Sequence, residues 1–83
     1  MSEAARAAVL SLLARRVAGT TICPSEAARE LAREAGSADW RREMPSVHAA
    51  ARQLAAEGIV RLTWRGEERR TGEGPYRIAH GDR

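Results

Sequence analysis

Two short segments, each with a proline where a helix can begin, constrain the fold of this 83-residue chain more than any other feature. Pro24 lies between Cys23 and Ser25, and Pro45 follows Met44. Proline suits the first turn of a helix, because the amide hydrogen that it lacks would have no intrahelical partner there. The two segments therefore predict two helix starts with a break between them.

The residues around Pro24 strengthen the first of these starts. Glu26 stands three residues after Cys23, which is the spacing of a capping box with a thiol in place of the usual hydroxyl. Gly36 ends the helix, and Ser37-Ala38-Asp39 restarts the chain into a helical turn that carries Trp40.

Hydrophobic periodicity predicts one more helix, which precedes these two in the chain. We expect helices over residues 3–17, from Pro24 to about Glu34, and from Pro45 to a stop at Gly58. The residues expected on their core-facing sides are Val9, Leu10, Leu12, Leu13 and Val17 in the first helix, Ala27, Ala28, Leu31 and Ala35 in the second, and Val47, Ala50, Ala51 and Leu54 in the third.

Strand signals surround the helices. A short β-branched strand is expected at residues 20–22, a longer one at 59–64 and a returning one at 76–78, with a turn at 65–68 and a break at 72–75. This order predicts an α+β fold: a single winged helix-turn-helix domain over residues 1–83, with three to four helices and a small antiparallel sheet. Its core should span about residues 3–79, and residues 80–83 should be loose.

Cysteine content and the first twenty residues bear on location. Cys23 is the only cysteine, so no intrachain disulfide can form, and a lone thiol suits a reducing compartment. Residues 1–20 have a helical pattern of charges and lack a long apolar run, unlike a signal peptide or a membrane span. We expect a cytoplasmic protein without a membrane partner.

Charge is unevenly distributed along the chain. All 14 basic residues are arginine, which fits either a GC-rich coding bias or a use of guanidinium groups for phosphate and carboxylate. Residues 1–40 hold five arginines and five acids, whereas residues 41–83 hold nine arginines and six acids. The net charge of +3 therefore arises in the second half, which contains the predicted helix at 45–57 and the predicted wing at 65–75.

The chain resembles a family of small bacterial winged-helix proteins catalogued as a domain of unknown function. The resemblance rests on Cys23-Pro24-Ser25-Glu26 with Arg29, on Trp40-Arg41 with Met44-Pro45, on Leu54-Ala55-Ala56-Glu57-Gly58-Ile59 and on Arg65-Gly66. It covers roughly residues 5–79 and implies a fold rather than an activity. His48 departs from the pattern, since an arginine is more usual after the valine.

Nucleic-acid binding is the leading hypothesis for function, because a winged helix places its second motif helix in the major groove. Arg52 and Gln53 would read base edges, assisted by Ser46 and His48. The arginines expected to contact phosphates are Arg41, Arg42, Arg65, Arg69 and Arg70. Together they would neutralise about 4–5 phosphates. The partner would be double-stranded DNA.

A second hypothesis is a docking module that binds a protein and no nucleic acid. Only one arginine lies on the outward face of the third helix, and Glu67 and Glu68 near the wing tip would repel phosphate. A mixed surface of arginine and glutamate suits a protein partner. Either a monomer or a weak homodimer is compatible with both hypotheses.

Catalysis and metal binding have weaker support. Cys23, at a helix start, is a candidate nucleophile, but no spacing places His48 or His80 beside it. Zinc needs about four ligands, more than one cysteine and two separated histidines provide. We expect no enzyme, no cofactor and no metal. His48 is expected to be a plain surface residue and Trp40 a core residue, with Arg41 paired to Glu26 or Glu30 as the structural alternative.

Overall fold

The computed structural model describes residues 3–17, 19–69 and 74–81, and these form three α-helices, a 3₁₀ turn and three β-strands. In chain order the elements are α1 (Glu3–Ala14), α2 (Pro24–Glu34), the 3₁₀ turn (Trp40–Glu43), α3 (Met44–Ala56), β1 (Val60–Trp64), β2 (Glu67–Glu68) and β3 (Arg77–His80). The predicted α+β class is confirmed, and the order of elements is consistent with a winged helix.

The start of α2 follows from its capping residues. Cys23 has an extended backbone (φ −87°, ψ 142°), and Pro24 occupies the first helical position. The Cys23 N–H donates to the Glu26 carboxylate at 3.3 Å. The capping-box geometry predicted for Cys23 and Glu26 is present, but the Cys23 thiol itself makes no capping hydrogen bond.

The sheet is antiparallel, with β1 between β2 and β3. The turn Arg65-Gly66 joins β1 to β2, and both residues have positive φ (55° and 84°), as a type I′ hairpin turn requires. On the other edge of the sheet, Ile22 and Ile78 exchange two backbone hydrogen bonds of 2.8 Å. The strand predicted at residues 20–22 is therefore reduced to a single bridge.

One apolar core lies between the helices and the inner face of the sheet. Its largest fully buried side chains are Val9, Leu13, Ile22, Val47, Leu54, Val60, Leu62 and Ile78. The predicted inward face of α3 is confirmed in full, because Val47, Ala50, Ala51 and Leu54 are all buried.

Two predicted core positions are wrong. The first helix ends at Ala14 rather than at residue 17, and the side chain of Val17 is 80 % exposed. Arg15 and Arg16, just after this end, pair with Glu30 and Glu26 of α2. Ala35 is exposed because α2 ends before it, and Ala32 is buried instead.

The end of β3 also differs from the prediction of a loose tail from residue 80. His80 belongs to β3, and its Nε2 lies 3.0 Å from the Leu13 carbonyl oxygen. The Gly81 N–H donates to the Ile59 carbonyl at 2.9 Å. The prediction is therefore wrong for His80 and Gly81, while residues 82–83 lie outside the described part.

None of the described helices combines the length and the apolar character that a membrane crossing requires.

Candidate nucleic-acid interface

The outward face of α3 carries small and hydrogen-bonding residues. Ala49, Arg52, Gln53 and Ala56 are exposed. Two of these residues are alanines, whose small side chains allow another surface to approach the helix backbone closely. Ser46, in the first turn of α3, is half-buried at the edge of this face.

His48 is not the plain surface residue that was predicted. It is half-buried, and its Nδ1 lies 2.6 Å from the Tyr76 hydroxyl oxygen. Burial, and to a smaller extent the positive charge of Arg52, lower the pKa of His48 from its ordinary value of 6.5. The imidazole is therefore neutral at pH 7, and it joins α3 to the residue that precedes β3.

Tyr76 explains why this histidine turns inward. Only 4 % of Tyr76 is exposed, and burial raises the pKa of its phenol to about 12. A buried hydroxyl needs a hydrogen-bond partner, and His48 provides it.

The arginines before α3 are placed by Trp40. Trp40 is half-buried and packs against the core, as predicted. The guanidinium carbons of Arg29 and Arg41 each lie 4.6 Å from the centroid of its ring. Cation–π contact therefore fixes Arg41, while Arg42 is exposed on the same 3₁₀ turn.

The alternative in which Arg41 pairs with Glu26 or Glu30 is wrong. Glu26 pairs with Arg16, and Glu30 pairs with Arg15 and with Arg33. Arg29, three residues after Glu26 on α2, lies over Trp40 instead.

The hairpin carries the other predicted phosphate contacts. Arg65 and Arg69 are exposed, and the guanidinium carbon of Arg65 lies 5.8 Å from the centroid of the Trp64 ring. A groove lies between α3 and the sheet, and both Arg69 and Arg52 of α3 line it, so the structure brings these two arginines together. Arg70, also predicted here, lies outside the described residues.

Ion pairing separates the arginines into two groups. Four ion pairs occur in the described part of the chain: Arg6–Glu57 (2.7 Å), Arg15–Glu30 (3.1 Å), Arg16–Glu26 (3.4 Å) and Arg33–Glu30. All of these arginines belong to α1, α2 or the turn after α1. The interface arginines that the structure describes, namely Arg41, Arg42, Arg52, Arg65 and Arg69, take part in none of them.

Glu57, at the end of α3, has its charge balanced within the fold. Both of its carboxylate oxygens accept hydrogen bonds from Arg6, at 2.7 and 3.3 Å. The Gln53 amide nitrogen donates to the same carboxylate at 2.9 Å. Gln53 is thereby oriented on the outward face, and the negative charge next to it is compensated.

Arg61 is a charged residue near this site that sequence reasoning missed. It is exposed on β1 between the buried Val60 and Leu62, and it lines the groove with Arg52 and Arg69. The alternation of apolar and polar residues in β1 predicts that Arg61 points away from Val60 and Leu62. It does not predict how close Arg61 comes to α3.

The chemistry available elsewhere is limited. The Cys23 sulfur lies 3.1 Å from the Ser25 hydroxyl, at the start of α2. Among residues 3–17, 19–69 and 74–81, no three His, Cys, Asp or Glu side chains gather in a way that would hold a metal ion.

A comparison with curated proteins finds no match. A family model described as "Protein of unknown function (DUF3253)" matches residues 2–81. The match spans every element from α1 to β3 and includes both proline-marked helix starts. The chain therefore belongs to this family of proteins of unknown function.

Proposed function

We propose that the protein is a non-catalytic module that binds double-stranded DNA through α3 and the hairpin. The observation that carries the proposal is the group of exposed arginines beside the outward face of α3 that form no ion pair among the described residues. In a winged helix this helix enters the major groove and the hairpin approaches the backbone.

Arg52 and Gln53 are the proposed base-reading residues. A guanidinium can donate two hydrogen bonds to guanine, and a carboxamide can pair with adenine as donor and acceptor. The bond from Gln53 to Glu57 uses one amide hydrogen and leaves the second hydrogen and the carbonyl oxygen for a base. Ser46 assists at the start of the helix.

His48 has a different place in this proposal from the one expected of it. Since its Nδ1 is bonded to Tyr76 and its ring is neutral at pH 7, it contributes no charge to phosphate binding. Its role is to fix the orientation of α3 against the segment that leads into β3.

Arg41, Arg42, Arg65 and Arg69 are the proposed phosphate contacts. They come from the 3₁₀ turn and from the hairpin, at two sides of α3. Arg70 joins them on sequence grounds alone. Contacts of this kind set the position of a protein on DNA without reading its sequence.

Fluorescence anisotropy with a labelled random-sequence duplex at low salt tests the proposal. We expect a Kd in the micromolar range or below, and a weakening of about tenfold for Arg52→Gln. The matched control is Arg33→Gln, because Arg33 is exposed on α2 and pairs with Glu30. The proposal fails if micromolar wild-type protein leaves the duplex unbound at low salt, or if both variants weaken binding equally.

A protein-docking module is the second candidate, and the exposed Glu67 on the hairpin favours it. A carboxylate there opposes phosphate, so Glu67→Gln should tighten duplex binding severalfold if DNA is the partner. Under the docking hypothesis the wild-type protein and Glu67→Gln both leave the duplex free.

The compartment is also a proposal. Cys23 is unpaired and half-buried, which suits a reducing environment, and on that ground we place the protein in the cytoplasm.

A further inference from the structure

A groove of about 380 Å³ opens between the C-terminal half of α3 and the sheet. Its charged lining residues are Arg52, Arg61, Glu68 and Arg69. They come from α3, from β1 and from the end of β2. A molecule in this groove would therefore touch the helix and the hairpin together.

The groove combines a small apolar floor with a positive rim. The half-buried Ala55 and the exposed Ala56 contribute carbon surface, and Ala56 has too small a side chain to fill the opening. Val60 and Leu62 also line the groove, but they are only 2 % and 1 % exposed. Three arginines and one glutamate, Glu68, line it, which leaves an excess of two positive charges. Such a lining complements a molecule with an anionic head and an apolar body.

Two of the three arginines, Arg61 and Arg69, are anchored to neighbouring strands by hydrogen bonds. Arg61 donates from Nε to the His80 carbonyl oxygen at 3.3 Å, which uses one of its five N–H donors. The Arg69 N–H donates to the Leu62 carbonyl at 2.5 Å, so the backbone of Arg69 is anchored to β1. Within the described residues, none of the three belongs to an ion pair.

We propose that this groove binds a small amphipathic organic anion, with one phosphate or carboxylate group on a flat apolar body. Guanidinium groups bind either head in a bidentate manner. The volume falls at the lower end of the range for small-molecule pockets, which fits a single-ring ligand. Of the three arginines, only Arg61 takes no part in the proposed DNA contacts, so a change at Arg61 tests this site separately from DNA binding.

Occupancy of the groove should oppose duplex binding. Arg52 and Arg69 belong both to the groove and to the proposed DNA contacts, so a bound anion uses the charges that the duplex needs. This consequence rests on the proposed function, whereas binding of the anion itself does not.

Isothermal titration of the full chain with phenyl phosphate, and separately with inorganic phosphate, tests the site. We expect saturable 1:1 binding of phenyl phosphate and binding of inorganic phosphate that is at least about tenfold weaker, since the bare ion cannot use the apolar floor. Arg61→Gln should weaken phenyl phosphate about tenfold, the loss expected for one charge-assisted hydrogen bond. Arg33→Gln, the same change on α2, should leave the Kd unchanged.

A second variant blocks the groove without altering its charge. Ala56 is exposed at the end of α3, so Ala56→Trp should fill the opening and abolish phenyl phosphate binding while the circular dichroism spectrum stays that of the wild type.

Three results would overturn the proposal: no saturable binding of phenyl phosphate, equal binding of the two probes, or binding that Arg61→Gln and Ala56→Trp leave intact. If only duplex binding depends on Arg61, the groove is a DNA contact, and this proposal fails while the proposed function stands. Phenyl phosphate binding without duplex binding supports the groove and removes the proposed function instead.

Discussion

The hydrogen bond between His48 and Tyr76 joins α3 to the residue that precedes β3. The two rings meet edge to face, with centroids 5.6 Å apart and planes at 62°. A neutral imidazole can either accept from the phenol or donate to it, whereas a protonated ring can only donate. Protonation of His48 is therefore coupled to the packing of the residue before β3.

Stability should fall as the pH is lowered through the range in which unfolded histidine titrates. The pKa of His48 is below 6.5 in the folded protein, so the unfolded chain binds the proton more readily, and the stabilisation present above pH 6.5 is lost as the pH falls through the folded value. His48→Asn should cost about 1 kcal/mol at pH 7.5, and this difference from the wild type should shrink by pH 5.5. Urea unfolding at both pH values measures it.

The control for this measurement is His80→Asn, which leaves His48 and Tyr76 in place. It should keep the pH dependence that is due to His48. A difference between the wild type and His48→Asn that stays constant from pH 7.5 to 5.5 would show that His48 has an ordinary pKa.

At the scale of elements, the connection from α3 to β1 runs directly beside the end of β3. Gly81 donates to the Ile59 carbonyl, and a Cβ built on Gly81 would lie 2.8 Å from the Ile59 carbonyl carbon and against the Gly58 carbonyl oxygen. Both neighbours are backbone atoms, which cannot rotate away as a side chain can. Only glycine fits this crossing.

Gly81→Ala should therefore destabilise the fold by about 1–3 kcal/mol, as overpacking does elsewhere. Gly66→Ala is the comparison, because a Cβ there meets no atom within 4 Å and the cost comes from its φ of 84° alone. Asparagine tolerates positive φ, so Gly66→Asn should recover most of the loss. Gly81→Asn should recover none, and an equal recovery at both positions would contradict the steric explanation.

The elements themselves were largely predictable from sequence, and their contacts were not. Pro24 with Glu26, and Pro45, mark helix starts through local chemistry, and the structure has helices at both places. The helical periodicity of α3 correctly predicted its four buried residues, Val47, Ala50, Ala51 and Leu54. It misjudged His48 because the deciding partner, Tyr76, lies 28 residues away. The groove at Arg61 was missed for the same reason, since its other wall belongs to α3.

At the scale of the whole molecule, the described arginines of α1, α2 and the turn after α1 largely balance acids, while those around α3 and the hairpin face solvent. A positive field concentrated on one region attracts polyanions and makes their binding sensitive to salt. The total charge of +3 does not show this distribution, because four of the arginines and three of the acids lie in the ion pairs away from the hairpin.

The salt dependence of duplex binding should report the number of arginines in contact. With about 4–5 phosphate contacts, a plot of log Kobs against log salt concentration should have a slope of about −4. The double variant Arg65→Gln/Arg69→Gln should reduce the magnitude of that slope by about 2. The double variant Arg15→Gln/Arg33→Gln is the control and should leave the slope unchanged. Anisotropy titrations from 50 to 200 mM salt measure the slope. An equal reduction in both double variants would show that the slope follows the total charge and not these contacts.

The bridge between Ile22 and Ile78 has a consequence for amide hydrogen exchange. Each residue is fully buried, and each amide is bonded to the other's carbonyl, so neither hydrogen reaches solvent unless the segment before α2 separates from β3. That separation opens the core. We therefore expect these two amides to exchange with deuterium only through global unfolding, at a rate that gives the full free energy of unfolding. The exposed Arg69 at the hairpin should exchange earlier, because fraying of the short β2 releases its amide.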